Sequence, residues 1–574
     1  MILLNPKKHT RAYPDEKSRE IMLKTIDFFE RKGLAKIKQD DHQRVWYRDF
    51  LDFQRDEKLF ATLLTPADYA DGDPDKRWDT YRICEFNEIL GFYGLPYWYT
   101  WQVSILGLGP IWMTKNEALK KKAAKLIDEG AIFAFGLSEK DHGADIYSTE
   151  MKLVPQPDGT FLASGRKYYI GNGNEAAMVS TFGRIAEPDG TIKKDSEYVF
   201  FAAYYDHENY DCVQNVVNSQ NFVSEYALND YPITEEDILA RGPFAWDCAL
   251  NTVNIGKYNL GWASIGICTH ALYEAVHHAA NRNLYGMWVT DFPHVKQAFV
   301  DAYSRLVAMK LFALRTADYM RVASPEDRRY MLFNPAVKMK VTTQGEDVID
   351  LLWDVIAAKG FEKDTYFEMA ARDIRALPKL EGTVHVNVAL ILKFMPNYLF
   401  NPQDFPPLDT QDQTTSDDFL FDQGPAKGLG KIQFGDYQKA YVLYDTPNLR
   451  VFKEQIEIFK ESLFAAGPTD AQKMDIDFLL AIGELFTLVV YGHLILENAK
   501  IHGLDDDHVD QIFDFLVRDF SEFALQVHNK PSSTEAQMAY CMKMIRKPVV
   551  DADRYGRMWN NWVYPLKDAY TMTD

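Results

Sequence analysis

The sequence predicts a mainly α-helical chain interrupted by one small central β domain. Three observations point there. Before about residue 130 and after about residue 246, apolar side chains recur every three or four residues, the period of an amphipathic helix. Between 131 and 245 the pattern changes to short apolar and aromatic runs bounded by Pro-Asp-Gly turns, which is strand and hairpin chemistry. With 574 residues, the chain is also long enough to bury more than one core.

The elements follow in order. Residues 1–130 form an N-terminal helical domain. Ser18–Arg31 carries Ile21, Met22, Ile26 and Phe29 at helical spacing, and Trp46–Leu64, Trp78–Gly91 and Pro96–Met113 continue the series. Ala118–Ile127 is a surface helix with a lysine-rich solvated face. Residues 131–245 form the β domain. Met151–Val154 and Thr160–Ala163 flank one turn, and Glu197–Tyr205 reads as a buried strand. Residues 246–399 form an antiparallel helical bundle from Asn251–Arg282, Phe292–Val322, Ala336–Lys359 and Leu380–Lys393. Residues 400–435, rich in Pro, Asp, Gln and Gly, form a linker or ordered arm. Residues 436–574 add a helical domain built from Leu449–Ala466, Gln472–His502, Asp507–His528 and Thr534–Arg546. Within it Phe478–Leu496 is nearly apolar and long enough to span a bilayer. A buried helix is the expected reading, and membrane association is not favoured.

Composition excludes some function classes. Lys and Arg number 63 against 83 Asp and Glu, a formal charge of −20, so nucleic acid is not an expected partner. The five cysteines (Cys84, Cys212, Cys248, Cys268, Cys541) are scattered without a CxxC pair, which predicts neither a metal site nor a disulfide framework. The opening MILLNPKKHTRAYPDEK has no long apolar core, so no signal peptide and a cytoplasmic location are expected.

Four segments carry the chemistry. RDIRALPKLEGTVHVN (372–387) sets Glu381, Gly382 and Thr383 at the head of an apolar run. Alone it would be a helix start, with the acid near the positive end of the dipole and Thr as cap. Upstream lie FAFGLSEKDHGAD (133–145), GRKYYIGNGNEA (165–176) and NRNLYG (281–286). In this order, the four segments resemble the acyl-CoA dehydrogenase family, from about Ile89 to about Phe394.

The resemblance implies an α-domain, a β-domain and a four-helix bundle, with an extra C-terminal helical domain like that of the very-long-chain branch, where it supports dimers. It implies FAD, an acyl-CoA substrate, a homo-oligomer with a dimer favoured, and an electron-transfer flavoprotein as onward acceptor. Removing hydrogen from the α and β carbons of a thioester needs a base, donors for the thioester oxygen and a hydride acceptor. Glu381 matches the base, and its backbone N–H one thioester donor. Gly256 stands where other members keep the base on an earlier helix, which favours Glu381. Phe135, Leu137, Ser138, Tyr169, Ile170, Gly171, Arg282, Tyr285 and Thr383 match flavin-contacting positions. Ala144, Lys257, Leu380, Gly382, Trp98 and Tyr99 match substrate positions, Trp98 and Tyr99 at the far end of the acyl pocket.

There are departures. Ser138 replaces a usual Thr, Ala144 a Ser, and Tyr169-Ile170-Gly171 a Trp-Ile-Thr or Trp-Ile-Ser, so a hydroxyl toward flavin N5 is missing. Pro293 replaces a Gln, Lys257 an Arg, and Ala357-Ala358-Lys359-Gly360 a Gly-Gly-x-Gly turn. Arg372-Asp373 is expected to be structural. The expected activity is α,β-dehydrogenation of an acyl-CoA to a trans-2-enoyl-CoA. The alternatives are an oxidase passing electrons to oxygen, and a family member that has lost catalysis and serves in assembly.

Overall fold

Residues 2–8 and 13–573 are described by a computed structural model, and they separate into two units. A sheet unit comprises described residues 13–259 and 413–427. A bundle unit comprises described residues 2–8, 260–412 and 428–573.

In the sheet unit, helices Glu16–Lys32, Thr80–Tyr93 and Leu95–Met113 stand close to the expected spans. Trp46–Leu64 is two helices, Arg48–Asp56 and Leu59–Leu64. Lys58, at a left-handed φ of +57°, breaks the run. The β domain contains β1 (Phe133–Gly136), β2 (Lys152–Pro155), β3 (Phe161–Gly171), β4 (Met178–Ile185), β5 (Tyr198–Ala203), β6 (Tyr210–Asn215), β7 (Val223–Ile233) and β8 (Ile238–Arg241). The sheet runs β6-β7-β3-β2-β4-β5-β8, with β1 added parallel to β4. β2 and β3 form the expected hairpin. Inward residues such as Leu153, Ala163, Val179, Phe201 and Tyr226 fill its core. Segment 413–427 is an ordered arm: Asp417 accepts from the Thr80 N–H at 2.6 Å, and Phe421 packs edge-on against Trp78.

The expected helix Asn251–Arg282 is two, Gly242–Gly256 in the sheet unit and Asn259–Ala280. In the bundle unit the latter is joined by Pro293–Arg321. Ala336–Lys359 is composite. An α-turn segment Tyr330–Ala336 passes through one π turn, Val337–Val341, into Thr342–Ile356. Pro335 lies just before the π turn and has no N–H to donate. The Thr342 and Thr343 hydroxyls donate to the Lys338 and Met339 carbonyls, supplying partners where the helical ladder is altered.

The C-terminal helices are Pro447–Ala465, Ile476–Ile501, Asp506–His528 and Glu535–Met544, each within a few residues of expectation except for the later start at Ile476. A further short helix, Ala552–Met558, was not foreseen. Ile476–Ile501 is long and apolar enough to cross a membrane, yet 83% of its apolar window is buried inside the protein. Gly483 explains the fit: a Cβ there would lie 2.3 Å from Val388. Buried polar pairs join the bundle helices. Arg305 grips Asp519 with two bonds of 2.8 and 2.9 Å, and Arg315 meets Glu497 at 2.7 Å. The apolar surface of this helix is therefore satisfied within one chain.

Candidate active site

The Glu381 segment leads into a helix start, but Glu381 lies outside the helix. The helix expected over Leu380–Lys393 begins only at Val384 and ends at Ile391, with Thr383 as its cap (Oγ1 accepting from the Val386 N–H at 3.4 Å). Glu381 and Gly382 precede it at left-handed φ values of +52° and +86°. Glycine takes such values freely, whereas a glutamate there is strained and must be held. Two side chains hold its neighbours. Lys338 Nζ, fully buried, donates to the Pro378 carbonyl at 2.6 Å and to the Gly382 carbonyl. Asn387 Nδ2 donates to the Gly382 and Thr383 carbonyls at 3.1 and 2.9 Å. Leu380, Glu381 and Gly382 are half-buried and Thr383 is exposed.

The bundle unit also carries Arg282, at the start of a two-residue hairpin, Asn283–Leu284 with Met287–Trp288. Its turn is Tyr285-Gly286, left-handed at both residues (+55° and +80°), the geometry of a tight β-hairpin turn. Tyr285 is 96% exposed. Among the described residues no carboxylate pairs with the Arg282 guanidinium. Burial first, then the positive charges of Lys359 and Arg282, hold the nearby His278 imidazole below its usual range. Lys359 is itself paired with Glu362 at 2.9 Å, which leaves Arg282 as the cation there without a carboxylate among the described residues. Ala357 there has φ +56° and ψ −135°, strained for any residue but glycine. The Ala357-Ala358 departure thus keeps a glycine-like turn without the glycine.

In the sheet unit, the loop after β1 is fastened to β3. Ser138 Oγ donates to the Tyr168 carbonyl at 2.7 Å, and the Tyr168 N–H donates to the Ser138 carbonyl at 3.0 Å. Beneath lies a buried pair, Lys167 with Glu139 at 2.6 Å. Lys167 also donates to the Leu137 carbonyl at 3.0 Å, and Glu139 accepts from the Glu150 N–H at 2.8 Å. Burial pushes Glu139 up, but the Lys167 charge and these bonds together hold it below the usual carboxylate range. Phe135 stacks on Phe200 at 5.8 Å, while Ala144 is exposed.

Tyr169 sits in a β-bulge of β3 at φ +65° and is 58% exposed. Ile170 is buried. Gly171 is a glycine because Tyr99 and Val103 occupy its side-chain space: a Cβ would meet Tyr99 at 2.6 Å. Asn172, at φ +62°, is a fastener that the sequence reading missed. Its amide accepts from Thr100 Oγ1 at 2.9 Å and donates to the Thr100 and Phe133 carbonyls, both at 3.0 Å. Trp98 is fully buried. Its Nε1 donates to Asn87 at 2.7 Å, and Asn87 continues through Asn259 and Gln102 to the Gly256 carbonyl. Lys257 is buried at the C-terminal end of Gly242–Gly256, where a cation suits the helix dipole.

Nine non-glycine residues have positive φ among those described. Five of them (Tyr169, Asn172, Tyr285, Ala357, Glu381) fall in the segments singled out by resemblance, so backbone strain is concentrated there. Lys338 and Asn387 were also missed. The available signal was a lysine on the apolar run Val337–Val341, out of phase for an exposed face.

The chain is similar to proteins of the acyl-CoA dehydrogenase family. Residues 246–395 match the family described as "Acyl-CoA dehydrogenase, C-terminal domain". The chain is 23% identical over 381 residues to the short-chain specific acyl-CoA dehydrogenase of Megasphaera elsdenii, covering 63% of this chain and 93% of that one. It is 22% identical to the mitochondrial very long-chain specific acyl-CoA dehydrogenase of Rattus norvegicus, covering 48% of this chain and 43% of that one. Its fold is shared with an acyl-CoA dehydrogenase complexed with FAD from Bacillus anthracis (TM-score 0.74, 16% identity, 99% of this chain and 97% of that one).

Proposed function

We propose that this chain is an FAD-dependent dehydrogenase acting on an acyl-CoA thioester, with Glu381 as the base that takes the α-proton. The observation that carries this is the conformation of Glu381: a carboxylate held at a strained φ between clamped carbonyls, ahead of the bundle helix. A residue kept only to start a helix needs no such restraint. The residues present fit the cofactor. Arg282 has no acid partner among the described residues, Ser138 is fastened to β3, and Tyr169 is exposed on a strained bulge. When bound, FAD supplies the hydride acceptor that no side chain provides. The chain's own part is to hold the thioester, remove the proton at Glu381 and offer its N–H to the thioester oxygen.

The product of this reading is a trans-2-enoyl-CoA, with an electron-transfer flavoprotein as onward acceptor. A homodimer is proposed from Arg282 and its protruding hairpin. The missing hydroxyl at Gly171, whose place Tyr99 fills, supports a second reading as an oxidase. One experiment tests both. The FAD-loaded protein is mixed without oxygen with acyl-CoAs from butyryl-CoA to palmitoyl-CoA, phenylpropanoyl-CoA included. Bleaching with enoyl-CoA formation is expected for at least one, and none bleaching would overturn the reading. Hydrogen peroxide at the rate of turnover in air would select the oxidase.

A further inference from the structure

We propose that Lys338 is a positioning residue for Glu381, setting the direction of the base by clamping the backbone on both sides of it. The inference rests on the reading of Glu381 as the base. Three observations carry it. First, Lys338 is 0% exposed, and a buried ammonium is costly unless its donors are used. Its Nζ donates to the carbonyls of Pro378 and Gly382, positions three before and one after Glu381. Second, the lysine reaches them from the single π turn, Val337–Val341, in an otherwise α-helical segment. An inserted residue turns the following helix by about 100° relative to an uninterrupted one, and π turns are frequent at functional sites. Third, the clamped span contains consecutive left-handed residues, Glu381 and Gly382. Fixing the carbonyls at its two ends limits the rotations by which this strain could relax.

The consequence is mechanical. With the Gly382 carbonyl held by Lys338 and Asn387, the Gly382–Thr383 peptide cannot flip, and the loop that carries Glu381 is pinned one residue beyond it. The Glu381 Cα–Cβ vector and its backbone N–H are then presented together, as a base and a thioester donor acting on one substrate require. Lys338 acts through the loop.

The test compares three FAD-loaded full-length variants, Lys338→Met, Lys338→Gln and Glu381→Gln, with the parent by anaerobic stopped-flow. The probe is whichever acyl-CoA of the panel bleaches the parent fastest, with and without deuterium at the α-carbon. A misplacement of about 1 Å costs on the order of 10²-fold in rate. Lys338→Met is therefore expected to slow the limiting flavin reduction by about 10- to 100-fold. Its acyl-CoA dissociation constant should change little, and the α-deuterium isotope effect should rise as proton removal becomes the slow step. Lys338→Gln, whose amide still reaches one carbonyl, should fall between Met and parent, and it carries the same test if Lys338→Met does not fold. A purely structural lysine would lower flavin content and thermal midpoint together and leave the isotope effect unmoved. That result, or reduction by Lys338→Gln at the parent rate while Glu381→Gln is inactive, overturns this proposal and leaves the base assignment standing. Parent-like reduction by Glu381→Gln overturns both.

Discussion

Two strained turns, one in each unit, solve the same problem differently. At Tyr169–Asn172 the backbone is held by a neutral amide: Asn172 exchanges bonds with Thr100 and Phe133, and Tyr99 closes over Gly171. At Glu381–Gly382 the backbone is held by a buried cation, Lys338, with Asn387 in support. A neutral fastener carries no net charge into the core. A buried ammonium is dearer, and it is found beside the turn that carries a carboxylate. The difference is one of charge: the proposed base stands on the turn that a buried cation fastens directly, whereas the other turn is fastened by an amide.

Substitutions can break or sharpen this contrast. The largest stability effect is expected at the neutral turn. Asn172→Leu removes the amide donor to the Phe133 carbonyl and one of two side-chain donors to the Thr100 carbonyl, takes the acceptor from Thr100 Oγ1, and places a branched residue at φ +62°. With about 1–3 kcal/mol for each buried group left unmade, a loss of about 3–5 kcal/mol is expected. Denaturant unfolding followed by a sheet-sensitive signal checks it, and an unchanged midpoint would mean that Asn172 is not the fastener.

Arg282→Ala extends the comparison to the third strained turn. Loss of a charge-assisted partner of about 1.5–3 kcal/mol should weaken FAD binding roughly 10- to 100-fold. Titration of the apoprotein with FAD reads this directly, and an unchanged affinity would remove Arg282 from the flavin site. Gly171→Ser restores the hydroxyl that resemblance would lead one to expect. Its Cβ would press on Tyr99, so a loss of about 1–3 kcal/mol is expected. Tyr99→Ala in the same chain should recover part of it, giving a coupling in a double-mutant cycle. The smallest change belongs to Tyr285→Asn. Asparagine tolerates the left-handed turn better than tyrosine, so a gain of a few tenths to about 1 kcal/mol is expected in the thermal midpoint.

Much of this architecture was legible from periodicity. The change from helical to strand spacing located the β domain, and the apolar run Phe478–Leu496 was read as buried, as Ile476–Ile501 proves to be. Breaks inside helical runs were not legible. Lys58 and the junction before Asn259 interrupt sequences whose apolar period continues across them. At the candidate site, Glu381 was visible from its motif, but its conformation was not. The apolar run behind it suggested a helix from Leu380, and only the structure shows two left-handed residues first. Lys338 was hidden for a different reason. Its partners lie 40 and 44 residues away, and it meets them from a π turn that a 3.6-residue period does not anticipate. Trp98 illustrates the converse: an aromatic placed in the pocket by resemblance spends its donor on Asn87.

The central claim is that Glu381 removes the α-proton, and anaerobic flavin reduction in Glu381→Gln tests it most directly. The amide preserves size and the backbone N–H, so FAD and acyl-CoA should both bind, while proton removal is lost. Loss of a general base typically costs about 10²–10⁴-fold. The account predicts at least that drop in the reduction rate with binding retained. Reduction at near the parent rate would contradict it and return Glu381 to the role of a residue before a helix.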